Sequence, residues 1–148
     1  PGTHDWPKHG FFGSYVEATR IADPAKMSYS QNAPVCPVVN NTDGSTVGYK
    51  YFNLNKLNKK QNYSLLVNLL PEGVDGTVKV LLGAPSEAKG AKVIGQFELK
   101  SNMPKQATRI SVPLSGWQTF KGKQPLFFVF ESNTKDKSMC QLYDFIFE

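Results

Sequence analysis

After Arg20, no stretch of this chain keeps apolar residues at a 3.6-residue period for three turns. An amphipathic helix needs that stripe to bury one face. The chain instead carries short runs of period two, cut by Gly, Pro, Asn and Asp. NYSLLVNLL (62–70) puts Leu65, Val67 and Leu69 on one face and Leu66 and Leu70 on the other. TVKVLLGA (77–84) turns Val78, Val80 and Leu82 inward, and STVGYKYFNL (45–54) aligns Val47, Tyr49 and Tyr51. SYVEATR (14–20), KVIGQFEL (92–99), ATRISVPL (107–114) and PLFFVFE (125–131) continue the series. CQLYDFIFE (140–148) closes it, with Tyr143, Phe145 and Phe147 on one face. Between the runs 62–70 and 77–84, PEGVDG (71–76) holds Asp75-Gly76, which reads as a hairpin turn. The pattern predicts an all-β chain folded as an antiparallel β-sandwich.

The 148 residues make one domain, long enough to bury a core without a metal or a disulfide. Residues 1–13 read as a lead-in, because two prolines and three glycines break regular structure, although Trp6, Phe11 and Phe12 are large apolar groups. Residues 14–148 read as the sandwich module. The start at Pro1 reads as an excised or processed fragment. Hydrophobic residues at 40% exclude a disordered chain, and no apolar run is long enough to insert in a membrane.

The charge of +5 is spread along the chain, and arginine, the preferred reader of phosphates and bases, occurs twice, at Arg20 and Arg109. That argues against nucleic acid as a partner. With histidine confined to His4 and His9, neither a catalytic triad nor a multi-histidine metal site has its parts. Cys36 and Cys140 stand outside any CxxC spacing, which excludes a zinc site and leaves either one disulfide or two buried thiols. A GxSxG elbow and a GK[ST] phosphate loop are both missing, and the acids form no focused cluster. What remains is a β scaffold with aromatic and amide-bearing loops. Sugars present flat C–H faces ringed by hydroxyls, which such groups bind. Trp117 in LSGWQTF follows a glycine turn and reads either as a stacking platform or as core. Asn40, Asn41, Asp43, Asn133 and Gln141 lie in other loops or at a strand start.

The order of motifs resembles a family 6 carbohydrate-binding module over residues 14–148. VEATR (16–20) is similar to the family's opening strand, VGYKYFNL (47–54) to its aromatic strand, and TVKVLLGAP with IGQFEL to its paired strands. SGWQTF resembles its "tGgWqtW" signature with Phe120 in the second tryptophan's place, and LFFVFES and QLYDFIFE resemble its endings. The spacing is similar to modules C-terminal to family 43 glycoside hydrolases. The resemblance implies a jelly-roll sandwich of the galactose-binding-domain type, non-catalytic, attached to a xylan- or arabinan-degrading enzyme that a bacterium secretes or holds in its periplasm or at its surface. Its partners would be a polysaccharide and the catalytic domain of the same polypeptide.

The resemblance implies a sugar held by Trp117, with Gln141, Asn133 and Asn41 supplying amide contacts. It sets Thr46 where the family has its second aromatic and Gln141 where it has an asparagine. It also implies a structural calcium, with Glu17 at the first acid, Thr19 at the second and Asp144 near the last. A Cys36–Cys140 disulfide would clamp the loops at that cleft. The alternative is an accessory domain that packs on the catalytic domain and binds no sugar.

Overall fold

The computed structural model describes residues 9–11 and 37–148. The strand expected at 14–20, with Glu17 and Cys36, lies outside them. Eight strands are present among the described residues: β1 (His9–Phe11), β2 (Thr46–Asn53), β3 (Ser64–Pro71), β4 (Gly76–Leu82), β5 (Lys92–Leu99), β6 (Thr108–Pro113), β7 (Lys123–Glu131) and β8 (Cys140–Phe147). They form two four-stranded antiparallel sheets, ordered β1-β8-β3-β6 and β2-β7-β4-β5. The helical segments among these residues are three short 3-10 turns, Leu54–Lys56, Glu87–Lys89 and Trp117–Thr119. The expected all-β sandwich is the fold. Within the 1–13 segment, His9–Phe11 takes strand form on the edge of β8.

Period-two alternation builds the core where the strands are regular. Leu65, Val67 and Leu69 of β3 are fully buried, as are Val78, Val80 and Leu82 of β4 and Leu126, Phe128 and Phe130 of β7. The sheets meet through aromatic rings. Phe145 of β8 packs edge-on to Tyr49 at 5.3 Å and to Phe128 at 5.2 Å, and tilted against Phe52 at 5.6 Å. Such pairs add about 0.5–1.5 kcal/mol beyond the area they bury.

Three expectations are corrected. In β2 the register shifts between Tyr49 and Phe52. A bulge moves every later side chain to the other face, so Phe52 is the core residue and Tyr51 is left half-buried. In β8 the pairing with β3 shifts between Asn68 and Leu69, opposite Asp144 and Leu142. Leu142 therefore enters the core in place of Tyr143. Thirdly, Asp75-Gly76 makes no hairpin, because β3 and β4 belong to different sheets. The segment crosses between them: the Asp75 carboxylate accepts Ser101 N at 2.7 Å, and its carbonyl accepts Ser132 Oγ at 2.7 Å. Glycine is needed at 76 for close approach, since a Cβ there would lie 2.5 Å from the Glu131 carbonyl oxygen.

The strand registers sort the loops into two ends. The connections 54–63, 83–91 and 114–122 lie at one end, and 72–75, 100–107, 132–139 and the approach 37–45 at the other.

Candidate functional site

Trp117 lies at the first end, inside the sandwich. Gly116 adopts a left-handed φ of 80°, and the chain there turns into the 3-10 turn that carries the indole inward. The ring is 1% exposed and meets Tyr63 edge-on at 5.5 Å. Tyr63 is itself fixed, its hydroxyl accepting Asn58 N at 3.1 Å and donating to Gln61 Oε1 at 3.2 Å. A ring this buried has no face for a sugar, so the stacking role read for Trp117 is corrected to a core role. Among the described residues its buried Nε1–H has no hydrogen-bond partner.

The other four residues read as sugar contacts lie at the opposite end, and they do not converge. Asn41 is 1% exposed and structural. Its amide donates to Val38 O and to Cys140 O, each at 2.9 Å, which uses both of its hydrogens inside the protein. Its backbone N–H donates to Ser138 Oγ at 3.2 Å, and its carbonyl accepts Met139 N at 2.9 Å. Ser138 in turn donates to the Glu72 carboxylate. Asn133 is exposed on the 132–139 loop. Thr46 opens β2 opposite Val129, on the outside of one sheet. Gln141 pairs with Leu70 on the outside of the other. Thr46 and Gln141 thus face away from each other and cannot line one cleft.

The same end holds an ion pair, Lys135 Nζ to Asp43 Oδ2 at 2.6 Å, while Asp43 Oδ1 accepts Ser132 N at 2.8 Å. The lysine first, and then the backbone amide, hold the Asp43 carboxyl below the ordinary carboxylate range. Cys140 is a buried free thiol, pushed up to about 12 mainly by burial and further by Glu72. Cys36, its expected partner, lies outside the described residues.

A different cluster crosses the outer face of the β1-β8-β3-β6 sheet. Asn68 of β3 stands between Arg109 of β6 and Asp144 of β8. Arg109 Nε donates to Asn68 Oδ1 at 3.0 Å, and Asn68 Nδ2 donates to the Asp144 carboxylate. One amide thus links three strands. The half-buried side chains Leu66, Leu70, Ile146, Gln141 and Tyr143 border the row. Burial first, and then Glu72, raise the Tyr143 hydroxyl. Asn68 and Arg109 escaped sequence reasoning. The available signal was a lone amide at an outward position in the otherwise apolar run SLLVNLL.

Asp144, read as a calcium ligand, gives one oxygen to Asn68. Among the described residues no three His, Cys, Asp or Glu side chains gather as a metal site. These residues alone do not build the oxygen cage calcium needs.

No family model matches the sequence, and no curated protein matches it. Solved structures do match. A glycoside hydrolase family 43 arabinoxylan arabinofuranohydrolase from Bacillus subtilis, in complex with cellotetraose, aligns with a TM-score of 0.59 and 18% identity over 80% of this chain. The chain spans 22% of that enzyme's length. A family 6 carbohydrate-binding module from Clostridium cellulolyticum in complex with xylose aligns at 0.56 and 15% identity, covering 76% of this chain and 78% of that one. A β-1,3-glucan-binding family 6 module from Bacillus halodurans aligns at 0.57 and 14%, covering 76% and 75%. The fold is that of the family 6 carbohydrate-binding modules.

Proposed function

We propose that this chain is a non-catalytic carbohydrate-binding module, carried by a secreted bacterial glycoside hydrolase that attacks xylan- or arabinan-type plant polysaccharide. The sugar lies on the outer face of the β1-β8-β3-β6 sheet. The observation behind this reading is the Arg109–Asn68–Asp144 row between half-buried aliphatic side chains. Such a surface offers hydroxyl partners in a line and apolar ground beside it for C–H faces. The fold adds support, since structures sharing it are complexes with xylose and cellotetraose. Affinity electrophoresis in gels of xylan, arabinoxylan and arabinan tests the reading. Retardation is expected in at least one gel, weakened about tenfold in Asn68→Ala while the melting temperature shows the variant folded. No retardation in any gel overturns it.

One observation favours a second reading, an accessory domain that packs on its catalytic domain without binding sugar. With Trp117 buried, the exposed large hydrophobic residue among the described ones is Val39, and no aromatic platform stands out on that surface. Under this reading polysaccharide binding is nil, and the chain raises the melting temperature of its enzyme when the two are mixed.

A further inference from the structure

Arg109 has a second feature that the sugar-binding reading leaves unused. Among the described residues its one side-chain hydrogen bond is from Nε to Asn68, and its two terminal amino groups have no partner there. The side chain is exposed on β6, and Ser111, two residues on, is exposed on the same face. Asn68 therefore fixes the guanidinium through one edge and leaves the end-on edge, with its paired N–H donors, open. That edge matches the two oxygens of a carboxylate.

We infer that Arg109 clamps a carboxylate on the bound saccharide, so that the ligand class is an acidic, uronate-bearing polysaccharide. The inference rests on the proposal that this sheet face binds sugar. Pre-orientation by Asn68 reduces the side-chain freedom lost on binding. The nearest negative group in the row, Asp144, is two strands away. Asn68 stands between the two charges and its amide takes one Asp144 oxygen, so Asp144 does not pair with the guanidinium. The net charge of +5 favours approach of a polyanion.

The test is titration calorimetry with glucuronoxylan and polygalacturonate, each beside its carboxyl-reduced form, for the wild type, Arg109→Gln and Arg109→Lys. For the wild type, one native polymer binds about tenfold tighter than its reduced form, and the gap narrows as salt is raised. The polymer that shows the gap identifies the uronate as glucuronate or galacturonate. Arg109→Gln binds native and reduced polymer alike, at the reduced-polymer level, and Arg109→Lys recovers part of the difference. Equal wild-type binding of native and reduced polymers overturns the clamp and leaves the sugar-binding face standing. No binding of either form, with none to neutral arabinan, overturns the sugar-binding face and the clamp with it.

Discussion

At one end of the sandwich the lid is an indole, Trp117, laid edge-on to Tyr63 with its ring nitrogen unpartnered. At the other the lid is an amide, Asn41, with both side-chain hydrogens and both backbone groups engaged. The apolar end is closed by area removed from water, and its loops meet through a few backbone bonds such as Leu54 N to Gly122 O and Leu114 N to Tyr63 O. The polar end is closed by directed bonds between loops 26 to 99 positions apart, among them Asp75–Ser101, Ser138–Glu72 and Asn41–Cys140. The two ends therefore fail differently. An apolar lid fails by leaving a cavity. A polar lid fails by leaving buried carbonyls short of a donor.

Replacing each lid separates these modes. Trp117→Ala is expected to have the largest effect, a loss of about 3–5 kcal/mol in urea unfolding. A loss under about 1 kcal/mol would be the value for an exposed ring and would return Trp117 to the surface. Asn41→Ala comes next, at about 1–3 kcal/mol, because Val38 O and Cys140 O each lose one of two donors, keeping Leu142 N and Ser138 Oγ, and the buried amide's bridge between them is gone. If it matched Trp117→Ala, the contrast between the ends would break down. The smallest effect belongs to the exposed Asp43–Lys135 pair. The Asp43 carboxyl titrates below its ordinary value of 3.8, so its stabilisation is complete above that value and is lost as pH falls through the depressed one. Melting curves of Asp43→Asn should converge with wild type in acid and lie below it at neutral pH, the gap shrinking in high salt. A constant gap across pH would show that the stabilisation does not depend on the charge of the Asp43 carboxylate and would overturn the ion pair as its source.

How much of this was legible depended on whether a strand kept its register. In β3 and β4 the inward set was readable because only one parity is consistently apolar. In YKYFNL and LYDFIF both parities carry large apolar groups, so the bulges that chose Phe52 over Tyr51 and Leu142 over Tyr143 left no mark. Those bulges answer to the partner strand, which periodicity does not report. Trp117 misled because a glycine before a tryptophan fits a surface turn and an inward turn equally well. The site was less legible than the fold. NNTDGS reads as turn chemistry alone, and only a contact 99 positions away makes Asn41 a clamp. Asn68 was visible as an anomaly, but its meaning needed Arg109 and Asp144 on neighbouring strands.

β8, the last of the eight described strands in chain order, sits inside its sheet between β1 and β3. Ser64 and Glu148 exchange both backbone hydrogen bonds at 2.8 Å. On a ribosome, then, the first sheet stays split until residues 140–148 emerge, leaving the flanks of β1 and β3 bare while β2 to β7 already exist. Pairing over such sequence separations makes folding slow. Premature release just before β8 would expose two unsatisfied strand edges, which are templates for aggregation.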